Sequence, residues 1–223
     1  MKYFDQEFLH FFQELGQNNH REWFNDNKKR YTQFVKEPFE AFVESMLDLS
    51  QELFPGMENI RPKDCIFRIY RDVRFSKDKS PYKTHMSAVI SSGGRKDMTS
   101  PGMYVQLSAE DSRLYSGLYK LDKHQLLHIR EAISQQMDTF ASLISDAHFK
   151  ETFGQIQGEK NKRLQEPFKE LSERQPLLFN KSFYYFKTFP ADSILKEDFA
   201  QQLIQTYEAC RPISEFFHEA IQA

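Results

Sequence analysis

At 223 residues the chain is long enough for a substantial buried core, whether in one large domain or two small ones. Its composition, 39% hydrophobic and 28% charged, is that of an ordinary globular protein, and no apolar run approaches the roughly 20 residues of a membrane span. A formal net charge of −2 argues against the broad basic surface of a nonspecific nucleic-acid binder.

The N-terminal MKYFDQEFLH lacks the apolar stretch and small-residue cleavage site of a signal peptide. Cys65 and Cys210 have no partner spacing for zinc and read as reduced thiols, so a cytoplasmic protein without a metal or other cofactor is expected. With 22 Phe and one Trp, the core should be rich in phenylalanine.

In chain order, Phe4, Phe8, Leu9, Phe11, Phe12 and Leu15 recur at helical spacing, and Gly16 is expected to stop that helix. Asn19 with Glu22 three residues later has the form of a capping box opening a second helix. Trp23, Asn27, Tyr31, Phe34 and Val35 form its stripe, and Pro38 ends or kinks it. Phe39, Phe42, Val43, Met46, Leu49 and Leu53 mark a strongly amphipathic helix closed by Pro55-Gly56.

The period then changes from 3.6 to 2. Ile66 to Phe75 alternates, with Phe67, Ile69, Val73 and Phe75 on one face and Arg68, Tyr70, Asp72 and Arg74 on the other, which predicts a strand. Met86–Ile90, Met103–Ser108 and Arg113–Tyr119 read as further strands, and the Ser91–Lys96 stretch as a flexible loop. Asp122 with Gln125 caps a helix whose buried stripe runs from Leu126 to Ile144. Residues 146–180 suggest short helical turns, 182–189 a strand, and two helices divided by Pro212 end the chain. Helices at both ends with strands between predict an α+β fold: an antiparallel or mixed central sheet covered by N- and C-terminal helices, within a single domain over 1–223.

Chemistry concentrates between Arg68 and Lys83. From Arg61 to Lys96 ten Lys/Arg stand against three Asp, an excess of +7 that leaves −9 on the rest. Arginine forks beside a Lys and a Tyr suit a phosphate or carboxylate. The plain alternative is a ladder of surface ion pairs. Arg71 falls on the apolar face and should be largely buried with a dedicated carboxylate or carbonyl partner.

Arg68-x-x-Arg71-Asp72-x-Arg74-Phe75 followed by Lys79-x-x-Tyr82 resembles the signature of the domain of unknown function 2461 family, mostly bacterial proteins of about this length. Asn18-Asn19-x-Arg21-Glu22-Trp23-Phe24-x-x-Asn27-Lys28, Gly117-x-Tyr119 and Lys181-Ser182-Phe183 resemble the same family. The resemblance spans nearly the whole chain. It implies one domain and marks the motif positions, and it carries no assigned activity.

The expected ligand site comprises Arg68, Arg71, Asp72, Arg74, Lys79 and Tyr82, with Arg21 and Lys28 adding to the basic surface. If the protein is an enzyme, Asp72 or His85 would be the base. His124 and His128 stand one helical turn apart but lack a third metal ligand, so a solvated helix face is the plainer reading. Two other readings stay open. Basic residues interleaved with Tyr70, Tyr82, Tyr104, Tyr115 and Tyr119 suit a nucleic-acid-binding module. A structural ion-pair lattice would place the function in a protein partner.

Overall fold

The computed structural model describes residues 1–96 and 102–222. Its architecture is α+β, with helices flanking a four-stranded antiparallel sheet of order β1-β2-β3-β4. The strands are β1 (His85–Ile90), β2 (Met103–Ser108), β3 (Asp111–Leu118) and β4 (Phe183–Pro190). Contacts divide the chain into two compact units.

The first unit holds residues 1–96, 103–114 and 188–204. Its helices are α1 (Gln6–Gln17), α2 (Arg21–Asp26), α3 (Lys28–Tyr31), α4 (Glu37–Leu49) and the single turn α5 (Pro62–Cys65). A π-helical turn, Thr32–Lys36, joins α3 to α4, so Pro38 falls in the first turn of α4, where a missing N–H costs nothing. The core is phenylalanine, as the composition suggests. Phe4, Phe8, Phe11, Phe12, Phe39 and Phe42 are each at most 2% exposed, and Phe4 meets Phe8 edge-on at 4.7 Å. Helix α4 packs on β1, whose residues 86–90 are all buried.

The second unit is built mainly on Tyr115–Lys187 and the chain from Gln205 on. It carries α6 (Lys123–Gln135), α7 (Met137–Ser145), α8 (Ala147–Phe153), α9 (Phe168–Leu171) and α11 (Arg211–Gln222), while α10 (Phe199–Glu208) begins in the first unit. The Asp122–Gln125 capping box forms as the spacing suggests. Gly117 has φ +98°, and a Cβ there would meet the Phe183 carbonyl at 2.2 Å, so the motif glycine permits a close passage of β4. A buried hydroxyl chain links Tyr185 to Ser214 (3.0 Å) and Ser214 to Ser116 (3.3 Å).

Several sequence expectations are corrected. Helix α1 passes through Gly16 and ends at Asn18, whose amide donates to the Glu14 carbonyl at 2.9 Å. Asn19 does not cap α2. His20 does, its ring accepting from the Trp23 N–H at 3.4 Å, because the Asn19 amide is engaged 63 residues away. The single helix expected over 126–144 breaks at Gln136, whose φ −123° and ψ 43° leave the helical region.

Residues 91–96 are not a free loop. Gly94–Lys96 form a 3₁₀ turn, and Arg95 donates to the carbonyls of Lys63 and Ile66 at the end of α5. The strand expected over 66–75 is not one. Only isolated bridges occur, Ile66 with Ala88 and Tyr70 with Tyr82. Alternation survives in exposure alone, and only to Arg74: Arg68, Tyr70, Asp72 and Arg74 face solvent, Ile69 is buried, Arg71 and Val73 are half-buried, and Phe75, expected on the inward face, is 95% exposed.

Candidate functional site

Residues 66–71 and 81–88, the second run leading into β1, lie antiparallel as a narrow ribbon. The Phe67 N–H donates to Ser87, Lys83 to Ile69 and Arg71 to Pro81, at 2.8 to 2.9 Å. Between the first two of these bonds, Phe67 to Ile69 on one run faces Ser87 to Lys83 on the other, so the longer run bulges and interrupts the ladder.

Asn19 locks the ribbon from outside. Its Nδ2 donates to the Tyr82 carbonyl at 3.0 Å, and its Oδ1 accepts the Tyr82 N–H at 3.1 Å. Beside it Phe24 stacks on the Tyr82 ring at 4.0 Å and 16°, with Tyr70 tilted against both. The α1–α2 turn therefore reaches the ribbon through Asn19 and Phe24. Trp23 packs on Phe11 instead, and the Asn27 amide donates to the Trp23 carbonyl. Burial, then Tyr70 and Glu40, push the Tyr31 hydroxyl up to about 12. Burial, then Tyr70, also raise Tyr82, while Arg21 pulls it the other way. Lys28 is exposed, and its ammonium pairs with no acid among the described residues.

The tip of the ribbon, 72–80, is closed upon itself. Arg74 grips Asp72 through Nε and Nη2, at 2.9 and 2.6 Å, and lies over the Phe75 ring at 5.8 Å. This grip holds the Asp72 carboxyl down to about 2. Arg71 pairs with Asp78, whose other oxygen accepts from the Ser80 backbone and hydroxyl. Those Ser80 bonds, then Arg71, depress Asp78 strongly. Lys79 donates to the Val73 carbonyl at 3.0 Å. Arg71 has its carboxylate, as its position on the apolar face suggests, but it is half-buried at 27% and Asp78 is exposed.

The base of the ribbon differs. Lys83 is half-buried over the Phe67 ring at 5.3 Å, and no carboxylate bonds it among the described residues. Burial, then the charge of Arg68, lower its pKa. Arg68 is exposed and likewise bonds no acid there. His85, two residues on, is pushed down to about 4 by burial and then by Lys83. It is neutral at pH 7.

Of the expected residues, Arg71, Asp72, Arg74 and Lys79 gather at the tip. Arg68 and Tyr82 lie at the base with Arg21 nearby. Lys83 was not among the expected ligands, although its sequence neighbours Tyr82 and His85 were. Its signal is a lysine held between the buried Tyr82 and the buried strand Met86–Ile90, where no acid lies within six residues after Asp78. Both candidate bases are shifted away from neutrality, Asp72 to about 2 by Arg74 and His85 to about 4 by burial. Helix α2 is too short to offer an anion site of its own, and His20 already occupies its cap.

Among the described residues no helix is long and apolar enough to cross a membrane, and no three His, Cys, Asp or Glu gather as a metal site. Cys65 and Cys210 are buried free thiols, each pushed up to about 12, chiefly by burial. No curated protein matches the sequence. The model of one family does, and it covers residues 7–216, the whole ribbon and the α1–α2 turn included. By that match the chain belongs to the family described as Conserved hypothetical protein (DUF2461).

Proposed function

We propose that the protein binds a small anionic ligand, phosphate or carboxylate, at the base of the ribbon. Arg68 and Lys83 are its principal cations. The observation that carries this reading is the unmatched pair of like charges: Lys83 is half-buried next to Arg68 with no internal carboxylate among the described residues. A buried or half-buried cation is costly unless something neutralises it. Elsewhere in the same segment Arg71, also half-buried, has the Asp78 carboxylate, and the exposed Arg74 and Lys79 have Asp72 and the Val73 carbonyl. An anion at the base would supply what is missing.

Charge-assisted hydrogen bonds contribute about 1.5 to 3 kcal/mol each, so two of them suit roughly millimolar affinity after the cost of association. The test is calorimetric titration of inorganic phosphate and of a dicarboxylate into wild type, Lys83→Met and Arg74→Ala. Binding should vanish in Lys83→Met and persist in Arg74→Ala, because Arg74 is held by Asp72. No binding of either anion, or binding indifferent to Lys83→Met, overturns the reading.

A further inference from the structure

Two aromatic side chains of the ribbon stand out in water. Phe75 is 95% exposed and Tyr70 is 50% exposed. In a chain that buries most of its phenylalanine, a fully solvated Phe at a loop tip has no packing role. The tip is also held in shape by the Arg74–Asp72 and Arg71–Asp78 pairs and by Lys79 on the Val73 carbonyl. Phe75 is thus presented rather than left loose. Tyr70 is backed by Tyr82 at 5.3 Å and Phe24 at 6.2 Å, a supported ring with half its surface in solvent. It shares the exposed side of the ribbon with Arg68 and Arg74.

We propose that the anion taken by the ribbon is a phosphate of a single-stranded nucleic acid, whose neighbouring bases stack on Tyr70 and Phe75. This inference rests on the anion site at Arg68 and Lys83 and names its ligand class. Solvated rings interleaved with cations are what a single strand recognises: every base has a face to stack, and every step has a phosphate. Arg68, Lys77 and Lys83 bond no acid among the described residues and so are open to phosphates. The chain's net charge of −2 confines such binding to the ribbon and favours a short footprint.

The experiment is fluorescence anisotropy of labelled ten-residue oligothymidylate and oligouridylate, with inorganic phosphate titrated in parallel. The proteins are wild type, Phe75→Ala, Tyr70→Ala and Lys83→Met. Phe75→Ala removes a side chain that touches little, so folding is not at issue. It should weaken oligonucleotide binding about tenfold, the loss of one stacked base, and leave phosphate binding unchanged. Tyr70→Ala should act alike, and Lys83→Met should lose both ligands. Two or three phosphate contacts should give a log–log salt slope of roughly −1.4 to −2.

If phosphate binds and the oligonucleotides bind no more tightly, or if Phe75→Ala changes nothing, the nucleic-acid inference falls while the anion site stands. If neither phosphate nor oligonucleotide binds, both fall. Phe75-dependent binding to phosphatidylserine vesicles, or Phe75-dependent dimerisation, without oligonucleotide binding also overturns it.

Discussion

The tip and the base of one short ribbon treat their charges in opposite ways. At the tip, Arg71 and Arg74 each have an exposed carboxylate and Lys79 has a carbonyl. At the base, Arg68 and Lys83 have one another, and His85 is held neutral beside them. Exposed pairs such as those at the tip contribute little to stability. They fix a shape. A half-buried cation without an acid costs stability, and folds keep such groups where they serve a ligand. The difference separates the residues that build the ribbon from those that would use it, although both lie in one run of motif positions.

The largest effect should come from the support under the base. Phe24 is 2% exposed and touches Phe11, Tyr31, Tyr70 and Tyr82. Phe24→Ala should cost about 3 to 5 kcal/mol in urea unfolding. A loss under about 1 kcal/mol would mean that the base is not held by α2 at all.

Next is the pH dependence of His85. Its folded-state pKa is about 4 against an ordinary value of 6.5. Above pH 6.5 the ring is neutral in both states and imposes no penalty. As pH falls from 6.5 to 4, the unfolded chain takes up a proton that the folded one refuses, so stability drops by up to about 3 kcal/mol. His85→Gln should flatten that part of the curve, and superposable wild-type and variant profiles would remove His85 from the buried base.

A smaller effect of opposite sign is expected at Lys83. Without ligand, Lys83→Met should stabilise the fold by about 1 kcal/mol, since it removes an unmatched charge and keeps the apolar stem. Destabilisation would show that the base is satisfied as it stands. Smallest of all, Arg74→Ala at the tip should leave the urea midpoint unchanged within error, as exposed pairs do. A clear midpoint shift would mean that the tip carries structure beyond its own loop.

Much of the fold was legible because its signals are local. The Asp122–Gln125 cap, the two-residue period of β2 and the phenylalanine stripe of α1 each lie within a few residues of what they determine. The ribbon was legible in composition and not in form. Alternation from Arg68 to Arg74 correctly separates outward from inward side chains, but a strand also needs an unbroken partner. Here the partner bulges, and Asp72 and Asp78 bond nearby N–H groups, an alternative to the ladder that short acidic side chains offer.

Asn19 misled for the mirror reason. Its spacing to Glu22 fits a cap, and a contact 63 positions away outranks it. Lys83 could not be singled out by counting charges, because what distinguishes it from Lys79 is the absence of a partner. That is a property of the folded neighbourhood and not of the composition.

The clasp of Asn19 on Tyr82 has a consequence for amide exchange. The Tyr82 amide proton is held by a side chain from the far end of the unit rather than by a strand neighbour. A hairpin formed from 66–88 alone would leave that proton free to exchange with solvent. Slow deuterium uptake at Tyr82 is therefore the expected mark of the Asn19 contact. Asn19→Ala should therefore speed exchange at Tyr82 while leaving the bonds of Phe67, Lys83 and Arg71 across the ribbon in place.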